Sequence, residues 1–250
     1  MTTSPTTTLP LARTPRTILC LGDSITGWSD LSRWLKWSHI LEAMLEARCG
    51  AGAHRVLNHG IGGNTTADLL GRLQEDALAV RPDIVTLLIS GNDAAPSSVI
   101  TAQQTAANLD QIVARLIAVC PNVLILQYHL LVRSDHPQKA WRHLVANNGL
   151  LAQIAGKYSC PVLPMGPALE AAVNPALPTD NDAYRSFPPW AGTHGYRAKD
   201  LVGEDSVHTN NGGELVYGRA VFYKLVELGW VNTPSPIIPI RSTQPQMPPP

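Results

Sequence analysis

Short apolar runs, each closed by a turn residue, alternate along this chain with longer stretches in which apolar side chains recur every three or four positions. Residues 17–21 form the first run and stop at Gly22, the pattern of a strand covered on both faces. Within residues 34–48, Trp37, Ile40, Leu41, Met44 and Leu45 share one helical face. A second strand over residues 55–58 leads into Gly60, Gly62 and Gly63, and Thr65 with Asp68 has the spacing of a capping box that opens a helix toward Val80. Residues 84–89 are the clearest strand, stopped by Ser90 and Gly91. The helix of residues 101–119 then places Leu109, Ile112, Val113, Leu116 and Ile117 on one side. A fourth strand (residues 123–127), a helix (138–158) and a short fifth strand at Val162 and Leu163 follow. The last helix is expected to begin after Asn211, with Glu214 as its capping partner, and to reach Leu228.

Strands alternating with helices predict an α/β fold with right-handed crossovers, a mostly parallel five-stranded sheet, helices on both faces, and active groups at the carboxyl ends of the strands. A length of 250 residues suits one domain, placed at residues 16–231. Residues 1–15, rich in Thr and Pro, read as a flexible arm, and residues 232–250 as an extended Pro-rich tail. Residues 164–204 hold five prolines after Pro164 and little periodicity, which reads as an irregular excursion of the kind that often covers a site.

Composition narrows the field. Hydrophobic residues make up 44% and charged residues 15%, enough for a core and unlike a disordered chain. Nineteen basic residues against nineteen acidic ones leave a formal charge of zero, so no field draws in DNA or an anionic membrane, and no nucleic-acid partner is expected. Neither a run of about 20 apolar residues nor a signal-peptide pattern occurs. A cytoplasmic location is expected, or a secreted one if the chain is a mature form. Cys20, Cys49, Cys120 and Cys160 lack the close pairs of zinc or redox sites and read as structural, with two bridges left open.

The candidate chemistry sits at strand ends. Ser24 follows Gly22-Asp23 directly after the first strand, where a capping serine is the plain reading. Asp205 and His208 stand just before the last helix, and they change that reading. A serine hydroxyl becomes a nucleophile when an imidazole can take its proton, and the imidazole needs an acceptor behind it. The turns Gly60-Ile61-Gly62-Gly63-Asn64 and Gly91-Asn92-Asp93 reach the same rim, and a glycine amide with the Asn92 side-chain amide would stabilise the charge that develops on an attacked carbonyl. Asp23 and Asp93 read as local hydrogen-bonding groups, while His59, His129 and His194 could approach the rim.

These blocks resemble the SGNH hydrolase superfamily, the GDSL-type lipases and esterases, over residues 17–228. Leu21-Gly22-Asp23-Ser24 is similar to the first block, Asn58 through Thr65 to the second, Gly91-Asn92-Asp93 to the third and Asp205-Ser206-Val207-His208 to the fifth. The resemblance implies a three-layer αβα sandwich of flavodoxin-like type and no metal or organic cofactor. It implies Ser24 as nucleophile, Asp205 and His208 as acid and base, and an oxyanion hole from the Ser24 and Gly63 amides and Asn92. As in that family, no G-x-S-x-G elbow surrounds Ser24. The expected reaction is hydrolysis of a small acyl ester or acetylated sugar through an acyl-enzyme, with Trp28 and Trp190 as candidate substrate contacts.

Two other readings compete. Asp23, Asn92, Asp93, Asp205 and His208 could be hard ligands of a metal-assisted phosphoester hydrolase. The Pro-rich tail from Thr233 to Pro250 could instead mark a binding or scaffold protein. The excursion could cap the site or support a neighbour in a homo-oligomer.

Overall fold

The computed structural model describes residues 15–27, 36–95, 97–130, 142–173, 198–203 and 207–231. Its five strands are β1 (Arg16–Gly22), β2 (His54–Gly60), β3 (Ile84–Leu88), β4 (Val123–Gln127) and β5 (Val162–Pro164). They pair in parallel in the order β2-β1-β3-β4-β5. Seven α-helices are described: α1 (Trp37–Cys49), α2 (Thr66–Leu73), α3 (Ala102–Ile117), α4 (Arg142–Tyr158), α5 (Met165–Ala172), α6 (Ala198–Leu201) and α7 (Asn211–Glu227).

The inner strands β1, β3 and β4 carry nearly continuous apolar runs because helices lie on both faces of the sheet, whereas the edge strand β2 is largely polar. Ile18 through Leu21 and Leu87 through Ile89 are completely buried. Helix α1 packs on α7, which also meets α5 and α6, while α2, α3 and α4 pack on one another in sequence. The result is the three-layer α/β sandwich expected. From β1 the chain steps outward to β2 and then returns across it to β3. Such a reversal leaves a crevice at the carboxyl ends of the two strands. Ser24 follows one of them and Asn92 the other.

Local sequence explains most element boundaries. Thr65 accepts from the Asp68 amide while the Asp68 carboxylate accepts from the Thr65 amide, the reciprocal cap anticipated for α2. The helix toward Val80 is present but changes its winding, Thr66–Leu73 being α-helical and Gln74–Leu78 continuing as a π-helical turn. Two expectations need correction. Met165–Ala172 is helical within the stretch expected to be irregular; Pro167 falls in its first turn, where no N–H is required, and Met165 and Leu169 are buried beneath it. Glu214 is not a cap. Asn210 occupies the N-cap but its side chain does not cap the helix, its Nδ2 donating instead to the Val202 carbonyl (3.1 Å), and Glu214 lies inside the protein. All four cysteines are free, and burial pushes the Cys20 thiol up to about 12.

Candidate active site

The turn after β1 is fixed from several directions. The Asp23 amide donates to the Leu88 carbonyl of β3 (3.2 Å), and the Asp23 carbonyl accepts from the amides of Thr26 (3.2 Å) and Gly27 (2.7 Å). The Asp23 side chain accepts from the Ile25 amide (3.0 Å) and from the Tyr128 hydroxyl (2.5 Å). The Trp37 indole donates to the Ile25 carbonyl (3.0 Å). Asp23 is therefore structural, as expected. Its burial pushes its carboxyl up to about 6 despite the Tyr128 and Ile25 bonds, and the same burial together with Asp23 lifts the Tyr128 phenol well above its ordinary value.

That turn puts the Ser24 hydroxyl 2.7 Å from Nε2 of His208. The histidine comes from a short loop before α7, held by an antiparallel bridge between Val202 and Thr209 and by the Gly203 amide on the His208 carbonyl (2.7 Å). Behind this loop, the buried Glu214 carboxylate accepts from Thr209 Oγ1 (2.6 Å), Lys36 Nζ (2.8 Å) and the Trp37 amide (2.7 Å). It thereby ties the start of α7 to the start of α1. Sequence reading missed this role because Glu214 has helix-cap spacing; the available signal was a lysine opening an otherwise apolar helix face.

The second turn presses against the first. Main chain meets main chain here: a Cβ on Gly60 would lie 2.2 Å from the Gly27 nitrogen. Asn58 bridges the Thr26 carbonyl (2.7 Å) and Ser38 Oγ (2.8 Å), and its own Oδ1 accepts from the Gly60 amide (2.9 Å). Gly63 has φ of 78°, a left-handed conformation that glycine adopts without strain. The loop passes close to the serine, since a Cβ on Gly62 would stand 3.8 Å from the Ser24 Cβ. Among the described residues, the Ser24 and Gly63 N–H groups meet no acceptor.

The third turn begins at Ser90, a buried non-glycine residue at φ 112°, a strained conformation. It is held by Asn147 Nδ2 on its carbonyl (2.5 Å) and by the Tyr128 hydroxyl, which accepts from the Gly91 amide (2.7 Å). Asn92 Nδ2 donates one hydrogen to the Asn64 carbonyl (2.9 Å), leaving its second hydrogen for another acceptor. Asp93 accepts from the Thr66 amide (2.9 Å), the Thr66 hydroxyl and Thr105 Oγ1 (3.1 Å), so it anchors the turn as expected.

Ser24, Asn92 and His208 share one cleft of about 210 Å³, bounded by Ile25, Ala95, Leu144 and Val207. Gly63 stands on the neighbouring loop and is not among the lining residues. Asp205, Trp28 and Trp190 lie outside the described residues. His59 and His129 are turned elsewhere, to the Asp76 carbonyl (2.7 Å) and the Tyr217 hydroxyl (2.8 Å). Asp23 and Asp93, two of the five candidate metal ligands, are occupied by internal donors, and among the described residues no His, Cys, Asp and Glu group has metal-site geometry. Nor is any described helix long and apolar enough to cross a membrane.

A hydroxyl and an amide at adjacent strand ends of a parallel α/β sheet, met by an imidazole from the loop before α7, form an arrangement of hydrolase type. The chain belongs to the GDSL-like lipase/acylhydrolase family, which matches residues 20–214, and so to the SGNH superfamily of carboxylic ester hydrolases. An acetylxylan esterase of Geobacillus stearothermophilus is 51% identical over 39 residues, which span 16% of this chain and 18% of that protein. The lipase/acylhydrolase of Enterococcus faecalis superposes with a TM-score of 0.65 at 20% identity, over 88% of this chain and 99% of that one. Axe2, an acetylxylan esterase of Geobacillus stearothermophilus, does so with 0.64 at 21% identity, over 88% and 98%.

Proposed function

We propose that this protein hydrolyses small acyl esters, acetyl esters foremost, through an acyl-enzyme on Ser24. The reading is carried by the 2.7 Å contact between Ser24 Oγ and His208 Nε2 inside a cleft that also holds Asn92. His208 takes the hydroxyl proton as Oγ attacks the ester carbonyl. The Ser24 and Gly63 amides and the second Asn92 hydrogen receive the oxyanion. His208 then protonates the leaving alcohol, and a water activated by the same imidazole releases the acid. Asp205, three residues before His208, fits the orienting role.

A cleft of about 210 Å³ falls below the usual range of roughly 300–1,000 Å³ for small-molecule sites, and its walls at Ile25, Ala95, Leu144 and Val207 are apolar. Both features favour a short acyl group. The local likeness to an acetylxylan esterase favours an acetylated sugar as its carrier, with Trp28 and Trp190 as proposed substrate contacts.

The test is a panel of acetyl, longer-chain and sugar esters, assayed with and without chelator beside Ser24→Ala. A fluorophosphonate should label Ser24 stoichiometrically, chelation should leave turnover intact, and Ser24→Ala should lose about 10⁴–10⁶-fold in kcat while keeping its unfolding transition. Retained turnover in Ser24→Ala would refute the proposal.

A further inference from the structure

Arg72, in the last turn of α2, carries a largely buried guanidinium, 15% exposed, that makes four hydrogen bonds. One goes to Asp76 Oδ2 (2.5 Å), the ordinary partner four residues along the helix. A half-buried pair within one helix contributes little by itself. The other three leave the helix. Nε donates to Asn64 Oδ1 (2.7 Å), Nη1 to the His59 carbonyl (2.9 Å) and Nη2 to the carbonyl of Gly22, 50 positions earlier (3.0 Å). We infer that Arg72 is a positioning residue for the oxyanion-stabilising groups, holding the Ser24, Gly63 and Asn92 donors in one mutual geometry.

Two of these three bonds end within two residues of one of those donors, and the third holds the end of β2 from which the glycine turn departs. Gly22 begins the turn that presents Ser24, and its carbonyl also accepts from the Ile61 amide (3.1 Å). Asn64 follows Gly63, and its main-chain oxygen is the acceptor that orients the Asn92 amide. The segment in between contains Gly60, Gly62 and Gly63, and residues 61 to 63 are exposed. A glycine-rich loop without packed side chains has little intrinsic order, yet misplacing a donor by about 1 Å costs on the order of 10²-fold in rate. Arg72 supplies the missing constraint from a helix. A planar fork can grip acceptors in three directions at once, which an ammonium on a flexible stem cannot reproduce.

This inference rests on the ester-hydrolase reading, and the experiment separates the two. Wild type, Arg72→Lys, Asn64→Ala, Asn92→Ala and the Arg72→Lys/Asn92→Ala double variant are assayed on one acetyl ester, with fluorophosphonate labelling of each. Labelling and turnover by wild type, lost in Ser24→Ala, establish the parent reading first. Arg72→Lys should then lose about 10²-fold in kcat with KM changed only a few-fold, because oxyanion contacts strengthen in the transition state. Asn92→Ala should lose about 10²–10³-fold. The double variant should lose little more than Asn92→Ala alone, since both changes disable the same donor set. Asn64→Ala, which removes one acceptor of the fork and keeps its main-chain oxygen, should lose about tenfold and serves if Arg72→Lys does not fold. Guanidinium ion should restore part of the turnover of a folded Arg72→Ala. Near wild-type kcat in Arg72→Lys, a loss confined to KM, or losses that multiply independently of Asn92 would overturn the inference while leaving the esterase reading standing.

Discussion

Replacing Lys36 by methionine keeps the length of the side chain and removes its charge from a site that is 1% exposed, opposite a Glu214 that is 0% exposed. The carboxylate keeps two donors, the Trp37 amide and Thr209 Oγ1, but loses the cation 2.8 Å away that neutralises it. Breaking one side of a buried ion pair costs about 3–5 kcal/mol, whereas removing both charges together is often nearly neutral. Against a total stability of roughly 5–15 kcal/mol this is a large fraction. At about 2–4 °C per kcal/mol for a domain of this size, Lys36→Met should melt about 6–20 °C below wild type. Urea unfolding followed by circular dichroism gives the free energy directly, and Lys36→Met/Glu214→Gln completes the comparison. Glutamine still offers an oxygen to Trp37 or Thr209, so the double variant should recover about 2 kcal/mol of the single variant's loss. A cost below about 1 kcal/mol for Lys36→Met, or a double variant less stable than the single one, would refute the account of Glu214 as a buried charge that needs its partner.

Asp23→Asn tests the lifted carboxyl. The unfolded carboxyl ionises near 3.8 and the folded one near 6, so between those values the unfolded state has already released a proton that the folded state retains. Wild type should lose about 3 kcal/mol on this account as pH rises from about 4 to about 6, and no more above that. The variant lacks this loss, so the wild-type-minus-variant difference in unfolding free energy should shift by that amount across the window; a difference flat with pH contradicts the burial argument. Gly60→Ala would drive a methyl carbon to within 2.2 Å of the Gly27 nitrogen, backbone against backbone. It should lower both the melting temperature and ester turnover; a fully active, equally stable variant would show that the contact yields easily.

The strands were legible because a sheet covered on both faces requires continuous apolar runs, and residues 84–89 have no polar interruption except Thr86. The capping box at Thr65 was legible because it is local. Ser24 and His208, 184 positions apart, were paired through the chemistry a serine needs, and their 2.7 Å separation follows from two loops reaching one rim. Arg72 was not found, since a basic residue in a last helical turn ordinarily complements the helix dipole, and two of its four acceptors are main-chain carbonyls that carry no residue-type signature. Tyr128 escaped notice for a similar reason. Its hydroxyl joins Asp23 to the Gly91 amide only once β4 lies beside β3. The helix at Met165–Ala172 was hidden by Pro167, a breaker in a helix interior and harmless in a first turn.

The turn flanking Ser24 is secured largely through main-chain atoms: the Ile61 amide on the Gly22 carbonyl, and the Arg72 fork on Gly22 and His59. The Ile61 side chain takes no part in this scaffolding and is 44% exposed, one residue before Gly62, where an added Cβ would stand 3.8 Å from the Ser24 Cβ. Directed evolution can therefore diversify that position freely. Libraries at residue 61 should redirect selectivity among alcohol portions of the ester while the reaction chemistry and the melting temperature stay where they are.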